Sequence, residues 1–148
     1  MNAPRGFYRV VVLAWIVLSG CTPNIQQALP AGPVTVNVSM SEYRFDYRPP
    51  AESGRVIFRV VNEGAVQHEI RVVRIPKELL PIDQQIRGSK HSVAEHLRSS
   101  VALDPGQDSV FALDLAPGRY GLICFIPGPE AGSTHAFAGM TSEFRIGG

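Results

Sequence analysis

The chain has 148 residues, 45% of them apolar and 18% charged, enough for one ordinary hydrophobic core and too few for two well-packed domains. Its formal charge of +1 includes Arg5 and Arg9, which stand in an opening stretch with no acidic side chain; apart from these two, 12 basic residues oppose 13 acidic ones. A body this close to neutral, with its arginines spread along the chain, lacks the basic face that phosphate recognition needs, which excludes nucleic acid as an expected partner.

The first twenty residues read as a targeting segment. Arg5 and Arg9 precede an unbroken apolar run from Val10 to Leu18. A bilayer-spanning helix takes about 20 such residues, so a run this short has the length of a signal-peptide core. Leu18-Ser19-Gly20-Cys21 follows and resembles the lipobox of bacterial lipoproteins, which is cut before its cysteine. That resemblance implies removal of residues 1–20, lipid on Cys21, and a place in the cell envelope, anchored to a membrane and facing the periplasm or the outside. A plain secretory cut nearby and an uncleaved anchor are the alternatives. With Cys21 acylated, Cys124 has no partner in the chain, in an oxidising compartment where unpaired thiols are uncommon.

Residues 22–32 are small, polar and punctuated by proline, a composition suited to a flexible tether that reaches roughly 35 to 40 Å when extended. The folded domain is expected over 33–148. Val34, Val36 and Val38 alternate with polar residues, and this strand pattern continues towards Phe45. Val56, Phe58 and Val60 mark a second strand over 55–62, which stops at Glu63-Gly64, and a third follows over 67–75.

Pro81, Gly88 and several polar residues then interrupt the strand pattern. In this insertion Ser92 caps an expected short helix with Glu95 at its third position, Val93 and Leu97 sharing a face up to Ser99. Strands return over 100–103, 108–115 and 119–126, separated by Asp104-Pro105-Gly106 and Ala116-Pro117-Gly118, and a last strand is expected over 140–146. About seven short strands, one helical insertion and no βαβ alternation predict an all-β Greek-key β-sandwich.

Four residue types in this chain suit a blue-copper site, which joins two imidazoles and a thiolate to a weak axial thioether. Cys124 ends a predicted strand, His135 and Met140 follow it, and His68 stands beside another. Read singly, Cys124 fits a buried apolar position, His68 a core histidine and Met140 core packing equally well. Taken together with Asn62-Glu63-Gly64, His68-Glu69, Pro117-Gly118-Arg119-Tyr120 and Gly139-Met140, the order resembles the cupredoxin family over about 115 residues from Pro33 onward.

The resemblance implies one type 1 copper ion, with Cys124 as thiolate, His68 and His135 as imidazole ligands and Met140 as axial thioether. It implies electron transfer, no enzymatic activity, a monomer, and an exported redox protein or copper-dependent oxidase as partner. A copper chaperone or storage protein using the same ligands, and a metal-free binding module, stay open beside it. Two features depart from the family pattern. Ten residues separate Cys124 from His135, which predicts a wide excursion instead of a tight ligand turn, its freedom limited by Pro127 and Pro129. Glu69 stands where many members have an asparagine that braces the cysteine loop; an ionised carboxylate there favours Cu(II) and lowers the potential. His91 and His96 are five apart, about 140° around a helix, so they form no i, i+4 metal clasp.

Overall fold

The computed structural model describes residues 32–88 and 94–147. The signal-peptide reading, Cys21, the tether up to residue 31, and the expected cap at Ser92 with its neighbours His91 and Val93 lie outside them. Among the described residues, alternation of apolar and polar positions produces eight strands: β1 (Val34–Ser41), β2 (Arg44–Tyr47), β3 (Gly54–Asn62), β4 (Arg71–Ile75), β5 (Glu95–Ser99), β6 (Asp108–Leu115), β7 (Gly118–Ile123) and β8 (Thr141–Ile146). One helix, α1 (Ile82–Arg87), lies between β4 and β5.

The strands form two four-stranded sheets, ordered β2-β1-β3-β6 and β5-β4-β7-β8. β1 runs parallel to β3 and every other pair is antiparallel. Val36, Val38 and Met40 of β1, and Val56, Phe58 and Val60 of β3, point inward because side chains alternate along a strand. They meet Val72, Tyr120, Leu122 and Phe144 of the second sheet in one apolar layer. Phe58 stacks on Phe111 and Tyr120 on Phe144, with ring centroids 5.3 and 5.4 Å apart. This is the expected all-β sandwich with a short helical insertion.

Three local expectations are corrected. The helix expected from Ser92 to Ser99 is replaced over its described part by strand β5, which pairs with the edge of β4. The open edge of β4 supplies partners for every residue of β5 but Leu97, and this cross-strand pairing overrides the weak local helical signal. Leu97 falls at a register shift between Val72 and Val73 and packs on the sandwich core. His96 is exposed on this strand, its Nε2 2.8 Å from Ser99 Oγ, so the helical offset from His91 does not apply. The segment 100–103 makes no strand; it contributes one bridge, Leu103 to His68. The first strand breaks at Glu42-Tyr43, where the chain reverses into β2 with Tyr43 at φ 60.

The insertion forms a second apolar layer outside the sandwich. Ile82 of α1 packs over Val73, Ile75 and Ile123. Gly121 of β7 makes this approach possible, since a Cβ there would lie 3.0 Å from Ile82 Cγ1 and 3.2 Å from Val73 Cγ2. Glu143 of β8 accepts the backbone N–H of Ile82 and pairs with Arg119, whose guanidinium also donates to Leu79 O at 3.0 Å. Among the described residues no helix is long and apolar enough to cross a membrane. Replacing Gly121 by Val should overpack this layer and lower stability by about 1–3 kcal/mol. Urea unfolding measures it, and an unchanged midpoint would mean that α1 yields freely.

Candidate metal centre

His68, Cys124 and His135 come together at one end of the sandwich, the first two just beyond strand ends and His135 in the loop that joins β7 to β8. His68 sits three residues before Arg71, the start of β4. Its backbone N–H donates to Leu103 O at 3.1 Å and its carbonyl accepts from Leu103 N at 2.7 Å. The buried side chain of Asn62, at the end of β3, secures this crossing. Its Nδ2 donates to Leu103 O and to Val66 O, both at 2.8 Å, and its Oδ1 accepts from Gly64 N at 3.0 Å.

Cys124 follows β7 directly and Met140 precedes β8, and the Cys124 N–H donates to Met140 O at 3.2 Å. Met140 is fully buried, and its N–H donates to His135 O at 2.8 Å. Gly139, at φ 113, makes that tight return possible, because L side chains rarely adopt the conformation. The interval between Cys124 and His135 is pinched closed, which corrects the expected wide excursion. Ala136 N donates to Cys124 O at 2.7 Å, His135 N to Ile126 O at 2.9 Å, and Gly128 N to Ser133 O at 2.9 Å, with a bridge between Pro127 and Thr134. The extra residues fold on themselves as a hairpin, so Cys124 and His135 stand as close as a short loop would hold them.

The donor atoms converge. His68 Nδ1 lies 3.1 Å from His135 Nδ1, which is 3.6 Å from Cys124 Sγ. One ligand atom from each of the three residues lies within 4.8 Å of the other two, and all three side chains are buried. Bonds of roughly 2.0 Å to nitrogen and 2.3 Å to sulfur, the values for a first-row dication, would separate neighbouring donors by ~3.3–3.6 Å. The observed spacing fits a single ion among them. His68 Nε2 is buried without a protein partner, while its Nδ1 is the nitrogen that faces His135.

Glu69, standing in the place of that asparagine, braces the cysteine loop. Its backbone N–H donates to Cys124 Sγ at 3.4 Å, and its Oε1 accepts from Phe125 N at 3.2 Å and from Arg71 Nε at 2.9 Å. The Arg71 guanidinium lies 5.0 Å over the Phe125 ring and offsets the carboxylate charge beside the sulfur. Burial pushes the Cys124 thiol up, against the pull of backbone N–H groups from Glu69 and Ile126. Burial lowers the pKa of both His68 and His135, reinforced at His68 by the neighbouring imidazole, while Glu42 pulls the other way on each.

No family model matches the chain, and no curated protein matches it. Solved structures do. Auracyanin from the photosynthetic bacterium Roseiflexus castenholzii is 18% identical, with a TM-score of 0.57 over 78% of this chain and 98% of that one. Auracyanin A, a "blue" copper protein from the green thermophilic photosynthetic bacterium Chloroflexus aurantiacus, is 22% identical, with a TM-score of 0.52 over 78% and 99%. Rusticyanin from Thiobacillus ferrooxidans is 15% identical, with a TM-score of 0.54 over 78% and 79%. The fold is that of the cupredoxins. Within it this chain places two imidazoles and one thiol at a single buried point.

The lowered imidazole pKa values set a pH dependence for the metal-free protein. The unfolded chain binds protons at His68 and His135 near pH 6.5, where the folded chain still refuses them. Stability contributed by the neutral imidazoles is therefore full at higher pH and lost as the pH falls through that value. The urea midpoint should drop between about pH 7.5 and about pH 5.5, and the drop should shrink in His135→Gln.

Proposed function

We propose that this chain is an exported, membrane-anchored type 1 copper protein that transfers electrons. His68, Cys124 and His135 would hold the metal, with Met140 as the thioether donor. The convergence of two Nδ1 atoms and one Sγ from distant segments carries this reading, because soft sulfur with borderline nitrogen suits both copper oxidation states. When bound, copper supplies one-electron exchange.

The chain's own residues do the rest. Cys124 gives up its proton on binding, and the Glu69 N–H donates to the resulting thiolate. Backbone pairing of His68 with Leu103, and of Cys124 with Met140 and Ala136, holds the donors where they stand and limits rearrangement between oxidation states. His135 is 4% exposed against 0% for His68 and Cys124, which makes it the shortest way out for an electron. Donors this enclosed leave no room for a substrate, which favours a carrier over an enzyme.

The reading of the whole chain follows from the sequence: a signal peptide over 1–20, lipid on Cys21, a tether over 21–32 and the copper domain over 33–148. Such a protein works as a monomer near a membrane, facing the periplasm or the outside, and exchanges electrons with another exported redox protein or a copper-dependent oxidase.

Titrating the purified protein with Cu(II) should produce an intense blue band, which Cys124→Ser removes. Copper at about a hundred times its dissociation constant should stabilise the fold by about 2.7 kcal/mol, read by thermal melting. A colourless protein whose melting ignores copper would end the proposal. Independently, Cys21→Ala should abolish incorporation of labelled fatty acid and release the protein from the membrane fraction. Persistence of both would refute the lipid anchor.

A further inference from the structure

Tyr43 combines three features. It is the one non-glycine residue with positive φ among the described residues, at φ 60. Its ring meets the His135 imidazole edge to face, with centroids 5.1 Å apart and planes at 82°. It lines the surface cleft where His135 comes nearest to solvent, together with Val66, Gln67 and Ile126.

A left-handed backbone is costly for a bulky side chain and persists only where the surroundings over-determine it. Here they do. The β1–β2 pairing holds Ser41 opposite Arg44 across a two-residue turn. The Glu42 carboxylate accepts the Ala65 N–H, which ties the same turn to the loop leading into His68. A glycine or asparagine would suit this position better as a turn residue. Neither could place a ring on His135.

We propose that Tyr43 is a positioning residue that holds the His135 imidazole turned towards His68 and Cys124 and covers its outer side. The inference rests on the copper reading for its purpose, although the contact itself exists in the protein alone. The π face and edge supply the hold, with the hydroxyl unnecessary. Phenylalanine should therefore replace tyrosine, whereas glycine should not.

The test is read in two ways. In metal-free protein, diethyl pyrocarbonate modification of His135 is followed by peptide mass mapping and normalised to the exposed His96. Tyr43→Gly should raise His135 labelling roughly two- to ten-fold, the loss of one edge-to-face contact, while Tyr43→Phe should match the parent. His68 labelling should stay unchanged, which separates loss of the ring from general opening of the fold. In copper-loaded protein, release to a chelator should accelerate by a similar factor in Tyr43→Gly and not in Tyr43→Phe. Unchanged His135 labelling in Tyr43→Gly, equal rises at His68 and His135, or a phenylalanine variant that behaves like glycine would each overturn the proposal. Should the parent bind no copper, the proposed function falls, and the labelling still decides the role of Tyr43.

Discussion

The approach of two imidazole Nδ1 atoms to 3.1 Å, with a thiol beside them and water kept away, is the constraint on which the rest of the structure turns. Two neutral rings facing one another through nitrogen satisfy each other only if one carries its proton on that atom and the other does not. The sulfur adds little as a partner. Left alone, this is a poor use of buried polar groups, which cost free energy unless matched. A cation at the shared point turns all three lone pairs into an asset. The surrounding backbone is arranged to keep them there.

That arrangement depends on strand ends. His68, Cys124 and Met140 each lie within three residues of a strand, so the hydrogen-bonded ladders of the second sheet set their positions before any side chain adapts. Asn62 extends the control to the first sheet, because one buried amide joins the end of β3 to Leu103 and the loop ahead of His68. The Glu69 and Arg71 side chains do the same around Phe125, tying the cysteine loop to β4 through a carboxylate that accepts from both sides. An asparagine amide is not the only chemistry able to brace such a loop; a carboxylate with its own arginine serves, and leaves less net charge beside the sulfur than a bare glutamate would.

The outer layer built by the insertion reaches the same region. Ile82 and its neighbours share their apolar cluster with Ala136, and Leu79, Ile86 and Phe125 pack against it. Ala136 follows His135 and Phe125 follows Cys124, so the insertion backs the ligand hairpin from outside the sandwich. Tyr43 meets His135 from the opposite sheet's turn. The hairpin is thus held between two supports that are remote in sequence, which is the kind of outer shell that fixes ligand orientation at metal sites.

Most of the sheet-forming segments, and the residue types able to act as donors, were legible in the sequence alone. Period-two alternation over 34–38, 55–62 and 108–115 reports which side chains face a core, and proline-glycine turns report where strands stop. It also carried the chemistry of His68, Cys124, His135 and Met140 as residue types. Tertiary structure alone decided three matters. Residues 95–99 became a strand because β4 had an open edge, a fact no local pattern contains. Glu42-Tyr43 became a turn without glycine, proline or asparagine, since neighbouring pairings imposed a backbone that the residues themselves disfavour. The ten residues after Cys124 closed into a hairpin because carbonyl and amide groups on its two arms needed partners, and that closure brought His135 to the sulfur. Local physics chooses the elements; only the satisfaction of hydrogen bonds between distant segments can bring their ends to one point.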